Sequence, residues 1–308
     1  MPHHEFALID WIRQRVANHA RLTLGIGDDT AVLRFPEPAD CLITVDMLME
    51  GVHFTLADAS PERIGRKAMG VNLSDIAAMA GRPLAAVVAV ALPRRGGWEI
   101  GQRVHAGLQS MADEFGVALA GGDTNTWDGP LVISVTVLGE ATGRGAVRRS
   151  GAQVGDWVFV TGFLGGSLSG KHLDFTPRIA EALALQQAAT LHSMIDISDG
   201  LIADLRHILE ESHVGAVLES TAIPISPAAL FAGDGRSPLD HALGDGEDFE
   251  LLFTVPPSDG QRLIASPRFA SPITRIGEIV PGSACLLRAA DGTLTPPQVS
   301  GWNHGFEG

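Results

Sequence analysis

Nine acidic residues, nearly all beside Gly, Ser or Thr, recur along the chain: Asp28 and Asp29 in GIGDDTAVL, Asp46 in TVDMLMEGVHF, Asp75 in NLSD, Asp123 in GGDTN, Asp196 and Asp199 in DISDG, and Glu247 and Asp248 in GEDFE. Each motif adjoins an apolar run that reads as a strand or a helix. Two carboxylates about 4 Å apart, at an effective dielectric of about 20, repel by roughly 4 kcal/mol unless a cation stands between them. A single Asp beside Gly is ordinary turn or cap chemistry. The recurrence points instead to a site that holds several Mg²⁺ ions around a polyphosphate, since Mg²⁺ takes oxygen ligands and shares its shell with substrate phosphates.

Length and charge narrow the classes further. A chain of 308 residues is long enough for two domains, each with its own core. With 45% apolar residues, 19% charged residues and 36 glycines, it reads as a compact, loop-rich globular protein. A formal charge of -14 opposes a nucleic-acid or anionic-membrane partner. ATP stays compatible with that field if metal ions neutralise the local carboxylates. Cys41 and Cys285 are the only cysteines, which excludes a disulfide framework or a zinc ligand set and suggests the cytoplasm. The N-terminus MPHHEFALIDWIRQRV lacks the apolar core of an export signal, and no run of about 18 apolar residues occurs.

The periodicity predicts a helix in FALIDWIRQRV, strands in TAVLRF and CLITVDML, and a long helix from Pro61 to Gly81 with Ser60 as its N-cap. PLAAVVAVALP reads as a strand, EIGQRVHAGLQSMADEFG as a helix ended by Gly116, and VALAGGDT and PLVISVTVLGEA as strands. These elements make an α+β first half, and the basic link GRGAVRRSGAQVGD places the boundary at Ala146. The domains expected are therefore 1–146 and 147–308. In the second half DWVFVTG, MID, VGAVLES, FELLFTV and TRIGEIV read as strands, with helices from about Pro177 to Thr190 and after DISDG.

Two nucleotide signatures are present only in outline. GGSLSGK, from Gly165 to Lys171, has P-loop spacing after a strand, but His172 replaces the Ser or Thr that would bind Mg²⁺, and HLDFTPR cannot supply the long helix that follows a P-loop. GIGDDT lacks the third Gly of a dinucleotide fingerprint. The histidines lack the i, i+4 zinc pattern.

Taken in order, GIGDDTAVL, TVDMLMEGVHF, KAMGVNLSDIAAMAG, GGDTN, RRSGAQVGDWVFVTG, IDISDGL and GEDFELLF resemble the thiamine-monophosphate kinase family, part of the aminoimidazole ribonucleotide synthetase-like superfamily. The resemblance runs from Glu5 to Trp302. It implies an N-terminal mixed-sheet α+β domain that forms a homodimer interface and a C-terminal α/β sandwich domain. The implied activity is ATP-dependent, Mg²⁺-assisted direct phosphoryl transfer to thiamine monophosphate, giving thiamine diphosphate and ADP. Carried over by motif, Asp29, Thr44, Asp46, Asp75, Asp123, Asp196 and Asp199 resemble the family's Mg²⁺ ligands. Gly122, Asp123, Arg149 and Ser198 match nucleotide contacts, and His53, Glu247 and Trp302 match thiamine-phosphate positions. Asp46, Asp75, Asp199 and Arg149 would carry the catalytic electrostatics.

The chain departs from the family in being short between GGSLSGK and TPRIAEAL, and Val45 stands where a hydroxyl residue often occurs, which leaves one metal contact to backbone or water. Two rivals remain at the level of sequence. One is another ATP enzyme of the superfamily, such as an aminoimidazole-ribonucleotide-type ligase, which His53 and GEDFELLF disfavour. The other is a non-catalytic nucleotide-binding dimer, whose mark would be lost metal carboxylates.

Overall fold

The computed structural model describes residues 11–12, 14–16, 19–20, 22–24, 32–33, 40–265 and 269–302. Asp28, Asp29 and most of the helix expected in FALIDWIRQRV lie outside them. The chain divides into two units, Met1–Ile76 with Arg82–Ala141, and Ala77–Gly81 with Thr142–Gly308. The second unit thus resumes at Thr142, where the sequence reading set a boundary at Ala146. Among the described residues no helix is long and apolar enough to cross a membrane.

In the first unit, short strands β1 (Leu22–Leu24) and β2 (Val32–Leu33) pair with each other. The main sheet runs in the order β3 (Cys41–Met49), β6 (Val132–Ala141), β4 (Gly81–Pro93), β5 (Ala118–Trp127). β3 and β6 are antiparallel, β4 and β5 parallel, so the sheet is mixed. Alternation along β3 is strict. Leu42, Thr44, Asp46 and Leu48 face one way with Ile133, Val135 and Val137 opposite them, while Ile43, Val45, Met47 and Met49 face the other way and are exposed.

Helix α1 (Pro61–Ala78) packs on the Thr44–Asp46 face and is buried over most of its surface, Lys67 included. Ser60 caps it through Arg63 N–H at 3.4 Å, with Pro61 as its first residue, as the Ser-Pro pair predicts. It stops short of the expected Gly81: Ala80 takes the left-handed turn at φ 51° and Gly81 already opens β4. Helix α2 (Gly97–Phe115) ends as predicted at Gly116, in the left-handed region. The two helices cross through glycine. A Cβ on Gly65 would stand 2.1 Å from Val104 O, and one on Gly107 1.9 Å from Glu62 O. Arg103 closes the crossing with two hydrogen bonds to Glu62, at 2.7 and 3.0 Å.

The second unit is built on a seven-stranded sheet in the order β13 (Leu294–Thr295), β12 (Cys285–Arg288), β9 (Gly215–Glu219), β11 (Ile273–Val280), β7 (Trp157–Thr161), β10 (Leu251–Val255), β8 (Ser193–Asp196). Only the β12–β9 pair is parallel. Its longer helices are α3 (Ile179–Ala188), α4 (Leu201–Ser212), α5 (Pro238–Gly244) and α6 (Pro257–Ala265), beside single turns at Lys171–Asp174 and Pro227–Leu230. Val158, Val160, Ile195, Leu252 and Ile279 form one core with Leu201, Leu205 and Ile208 of α4. On the other face Phe159 stacks on Phe253 at 5.5 Å, and Gly260 of α6 lies so close to Trp157 that a Cβ there would stand 2.5 Å from its ring. Helices on both faces of a mixed sheet give the α/β sandwich expected.

Candidate active site

The period-2 pattern of β3 decides which of its residues can act. Thr44 and Asp46 point to the helix side, and Thr44 Oγ1 donates to Asp75 Oδ2 on α1. Asp46 is half-buried, with Oδ2 shielded from solvent. Gly122 and Asp123 lie on β5, level with Val88 and Ala89 of β4. Gly122 has a packing reason to be glycine, since a Cβ would stand 1.9 Å from Val88 O. Asp123 is exposed and accepts from Asn125 Nδ2 at 3.1 Å. His53, in the turn after β3, accepts Met49 N–H at Nδ1 (3.1 Å), while its main-chain oxygen accepts from the buried Lys67 at 2.8 Å.

Beside Gly122 and Asp123 opens a cavity of about 100 Å³, walled by Val88, Val90, Val104 and Leu108 with His105 at its edge. Burial, then the charge of Arg15, holds the His105 imidazole below its usual pKa, so the ring is neutral at physiological pH. Sequence reading passed over His105 because it sits inside an amphipathic helix with no motif around it.

In the second unit the DISDG turn, the GEDFE loop and the Gly301–Trp302 segment converge. Glu247 N–H donates to Ser198 O at 2.7 Å, Phe249 N–H to Ile197 O at 2.8 Å, and Trp302 N–H to Asp199 O at 2.9 Å. Gly301, at φ 79°, approaches so closely that a Cβ would stand 2.6 Å from Asp199 O. Asp196, Ser198, Asp199, Glu247 and Trp302 are thereby gathered in one place. Arg149 is not among them. Its main chain is tied to Ser212 at the far end of α4, and a helix of that length spans about 18 Å.

Asp204 was not singled out from sequence, yet it fixes the DISDG turn. Its Oδ2 accepts the N–H groups of Asp199 (3.0 Å) and Gly200 (3.1 Å) at the start of α4. Burial first, and then the charges of Asp196 and Asp199, push its carboxyl up to about 8. The acid three residues behind the helix start in DGLIAD was the available signal.

The P-loop look-alike is already filled. Gly165 N–H donates to both oxygens of Asp248, at 3.0 and 2.9 Å, and Gly166 N–H to Asp245 Oδ2 at 2.9 Å. Lys171 pairs with Glu250 at 2.9 Å, and the helix that follows is a single turn, Lys171–Asp174. The donors that would cradle a phosphate are committed to carboxylates.

Among the described residues no three His, Cys, Asp or Glu side chains close on a common point as a preformed metal centre. Asp46, Asp75 and Asp123 belong to the first unit, Asp196 and Asp199 to the second, and Asp29 lies outside the described residues. The donors themselves are all oxygens, the ligand type that a hard cation takes. The candidate set fits Mg²⁺.

Residues 27–141 match the N-terminal domain model of AIR synthase related proteins, and residues 153–286 match the C-terminal one. The thiamine-monophosphate kinase of Rhodopirellula baltica is 41% identical over 310 residues, covering 98% of this chain and 97% of the relative. The crystal structure of thiamine-monophosphate kinase from Stenotrophomonas maltophilia superposes with a TM-score of 0.81 at 36% identity, over 96% of this chain and all of that one. AaThiL complexed with AMPPCP and TMP gives 0.77 at 31% identity, over 98% and 97%. Matched over nearly its whole length by such relatives, and carrying the DISDG and GEDFE loops bound to one another, the chain belongs to the thiamine-monophosphate kinase family.

Proposed function

We propose that the chain catalyses transfer of the γ-phosphoryl group of ATP to the phosphate of thiamine monophosphate, giving thiamine diphosphate and ADP. An oxygen of the acceptor phosphate attacks the γ-phosphorus as its bond to the β,γ-bridging oxygen breaks. The acceptor is already ionised, so no strong general base is needed, and positioning and charge neutralisation carry the rate. Thr44, Asp46, Asp75, Asp123, Asp196, Asp199 and Asp29 would hold Mg²⁺. Bound there, the ions supply the positive charge that lets two anions meet and ADP depart. Gly122, Asp123 and Ser198 contact the nucleotide, with Arg149, held at the far end of α4 from Ser198, serving only a distant part of it, and the apolar cavity at His105 suits the flat base. His53, Glu247 and Trp302 take the thiamine phosphate, with the largely exposed indole of Trp302 available to stack on a ring.

The observation that carries this reading is the gathering of Glu247 and Trp302 around the Ser198–Asp199 turn through main-chain hydrogen bonds. The exposed apolar row Ile43, Val45, Met47 and Met49 supports a homodimer built through the first unit's sheet. The free thiols Cys41 and Cys285 suit a cytoplasmic enzyme. Incubation with ATP, Mg²⁺ and thiamine monophosphate, read by phosphorus NMR against a control without acceptor, tests the function. Thiamine diphosphate forms in step with ADP; ADP without it would refute the assigned acceptor.

A further inference from the structure

Glu247 sits in a backbone conformation that side chains seldom adopt. Its φ is 53°, between Gly246 at 74° and, two residues on, Phe249 at 50°. Such outliers persist only where the surroundings over-determine them, and they cluster where a side chain must be aimed. Here the main chain is held at both ends, by Glu247 N–H on Ser198 O (2.7 Å) and by Ser167 Oγ donating to Glu247 O (2.6 Å).

The side chain is held by a different segment. The stretch from Lys171 to Arg178, the shortened segment after the Gly-rich loop, lies along GEDFE and engages it repeatedly. Lys171 and Arg178 pair with the buried Glu250, Phe175 stacks on Phe249 with ring centroids 4.1 Å apart, and His172 Nδ1 lies 2.8 Å from Glu247 Oε2. At that distance the ring N–H donates to the carboxylate. His172 is the residue whose presence breaks the P-loop pattern, and in this fold its place is taken up by Glu247.

We propose that His172 is a positioning residue for thiamine monophosphate: by holding one carboxylate oxygen of Glu247, it presents that carboxylate in a single orientation to the cationic thiamine moiety. The inference rests on the reading of Glu247 as a substrate contact. A hydrogen bond between charged or polar partners confines the carboxylate without touching the nucleotide, so its loss acts on one substrate only.

Steady-state kinetics of the full-length enzyme, with each substrate varied in turn, test this in His172→Asn, His172→Gln and Glu247→Gln. The Asn amide can stand where Nδ1 stands, whereas the Gln amide falls near Nε2. His172→Gln is expected to raise KM for thiamine monophosphate about tenfold, with KM for ATP within twofold of wild type, and His172→Asn to stay within about threefold. In a Glu247→Gln background, His172→Gln should add little. A purely structural role would lower melting temperature and kcat alike in both His172 variants, and that result overturns the proposal. If Glu247→Gln raises KM for thiamine monophosphate and His172→Gln does not, positioning alone fails. If Glu247→Gln leaves that KM unchanged, the substrate reading of Glu247 fails and the proposal with it.

Discussion

Glu250 is the charge on which the second unit's loops depend. It is 1% exposed, yet it accepts two hydrogen bonds from Arg178 at 2.7 Å each, one from Lys171 at 2.9 Å and one from Thr161 Oγ1 at 2.8 Å. Burial, the largest influence, would raise its pKa, but the hydrogen bonds and charges of Arg178 and Lys171 override it and hold the carboxyl below the usual 4.5. Glu250→Ala would leave the Arg178 guanidinium, whose side chain is only 19% exposed, with the longer 3.8 Å contact to Glu181 alone, and removing one partner of a buried pair costs about 3–5 kcal/mol. Lys171, at 33%, can turn to water and should contribute little to that cost. Because the folded pKa is depressed, this stability is present above 4.5 and is lost as pH falls through the lower folded value. Urea unfolding followed by circular dichroism should therefore show a deficit of about 4 kcal/mol at pH 7 that narrows in acid. A deficit below about 1 kcal/mol at pH 7, or one that does not narrow in acid, would refute the reasoning.

Asp46→Asn and Asp75→Asn should each lower kcat/KM by about 100-fold or more while leaving the melting temperature near wild type; ordinary turnover would remove them from the catalytic set. Gly107→Ala forces a Cβ to within 1.9 Å of Glu62 O, a backbone atom that cannot swing aside, and should cost about 2 kcal/mol in thermal unfolding despite alanine's better helix propensity. On the proposed homodimer, Val45→Lys in the exposed apolar row should shift sedimentation toward monomer, and a sedimentation coefficient equal to that of wild type would refute the proposed contact. Asp204, raised from 3.8 to about 8 by burial and by Asp196 and Asp199, contributes stability that is full below 3.8 and lost as pH rises toward 8. In metal-free buffer Asp204→Asn should accordingly gain roughly 4 °C or more on wild type between pH 5 and pH 8.

Local signals carried most of the architecture. Ser60-Pro61 announced α1 and Gly116 announced the end of α2, but the facing of β3 was not legible, because its apolar alternates Ile43, Val45, Met47 and Met49 are the exposed ones while Thr44 and Asp46 turn to the helix. The same Ser-Pro signal recurs at Ser226-Pro227 and Ser237-Pro238, where each Ser caps a short helix, yet runs of four and seven residues are too brief to show a 3.6-residue period. Helix α6 was hidden for a related reason, its glycine serving close packing on Trp157 rather than a turn. Asp196 ends β8 and Asp199 stands just before α4, each with its own turn chemistry, whereas Asp46 lies inside β3 and Asp75 inside α1, where no turn signal marks them.

What was not legible is the pairing that gives those motifs a direction. His172 and Glu247, or Gly165 and Asp248, are far apart in the chain, and nothing in the periodicity near one member specifies the other. Read locally, GGSLSGK is a spoiled phosphate loop and GEDFE a polar loop before a strand. Brought together, the carboxylates of Asp245 and Asp248 take the N–H groups that a phosphate would have taken, and Glu250 takes the lysine. The loop that looks built to bind an anion has bound the protein's own. The positive φ of Glu247 and its partner His172 are the grounds for the substrate-orienting role proposed for Glu247, in the same unit whose Ser198 is proposed to contact the nucleotide.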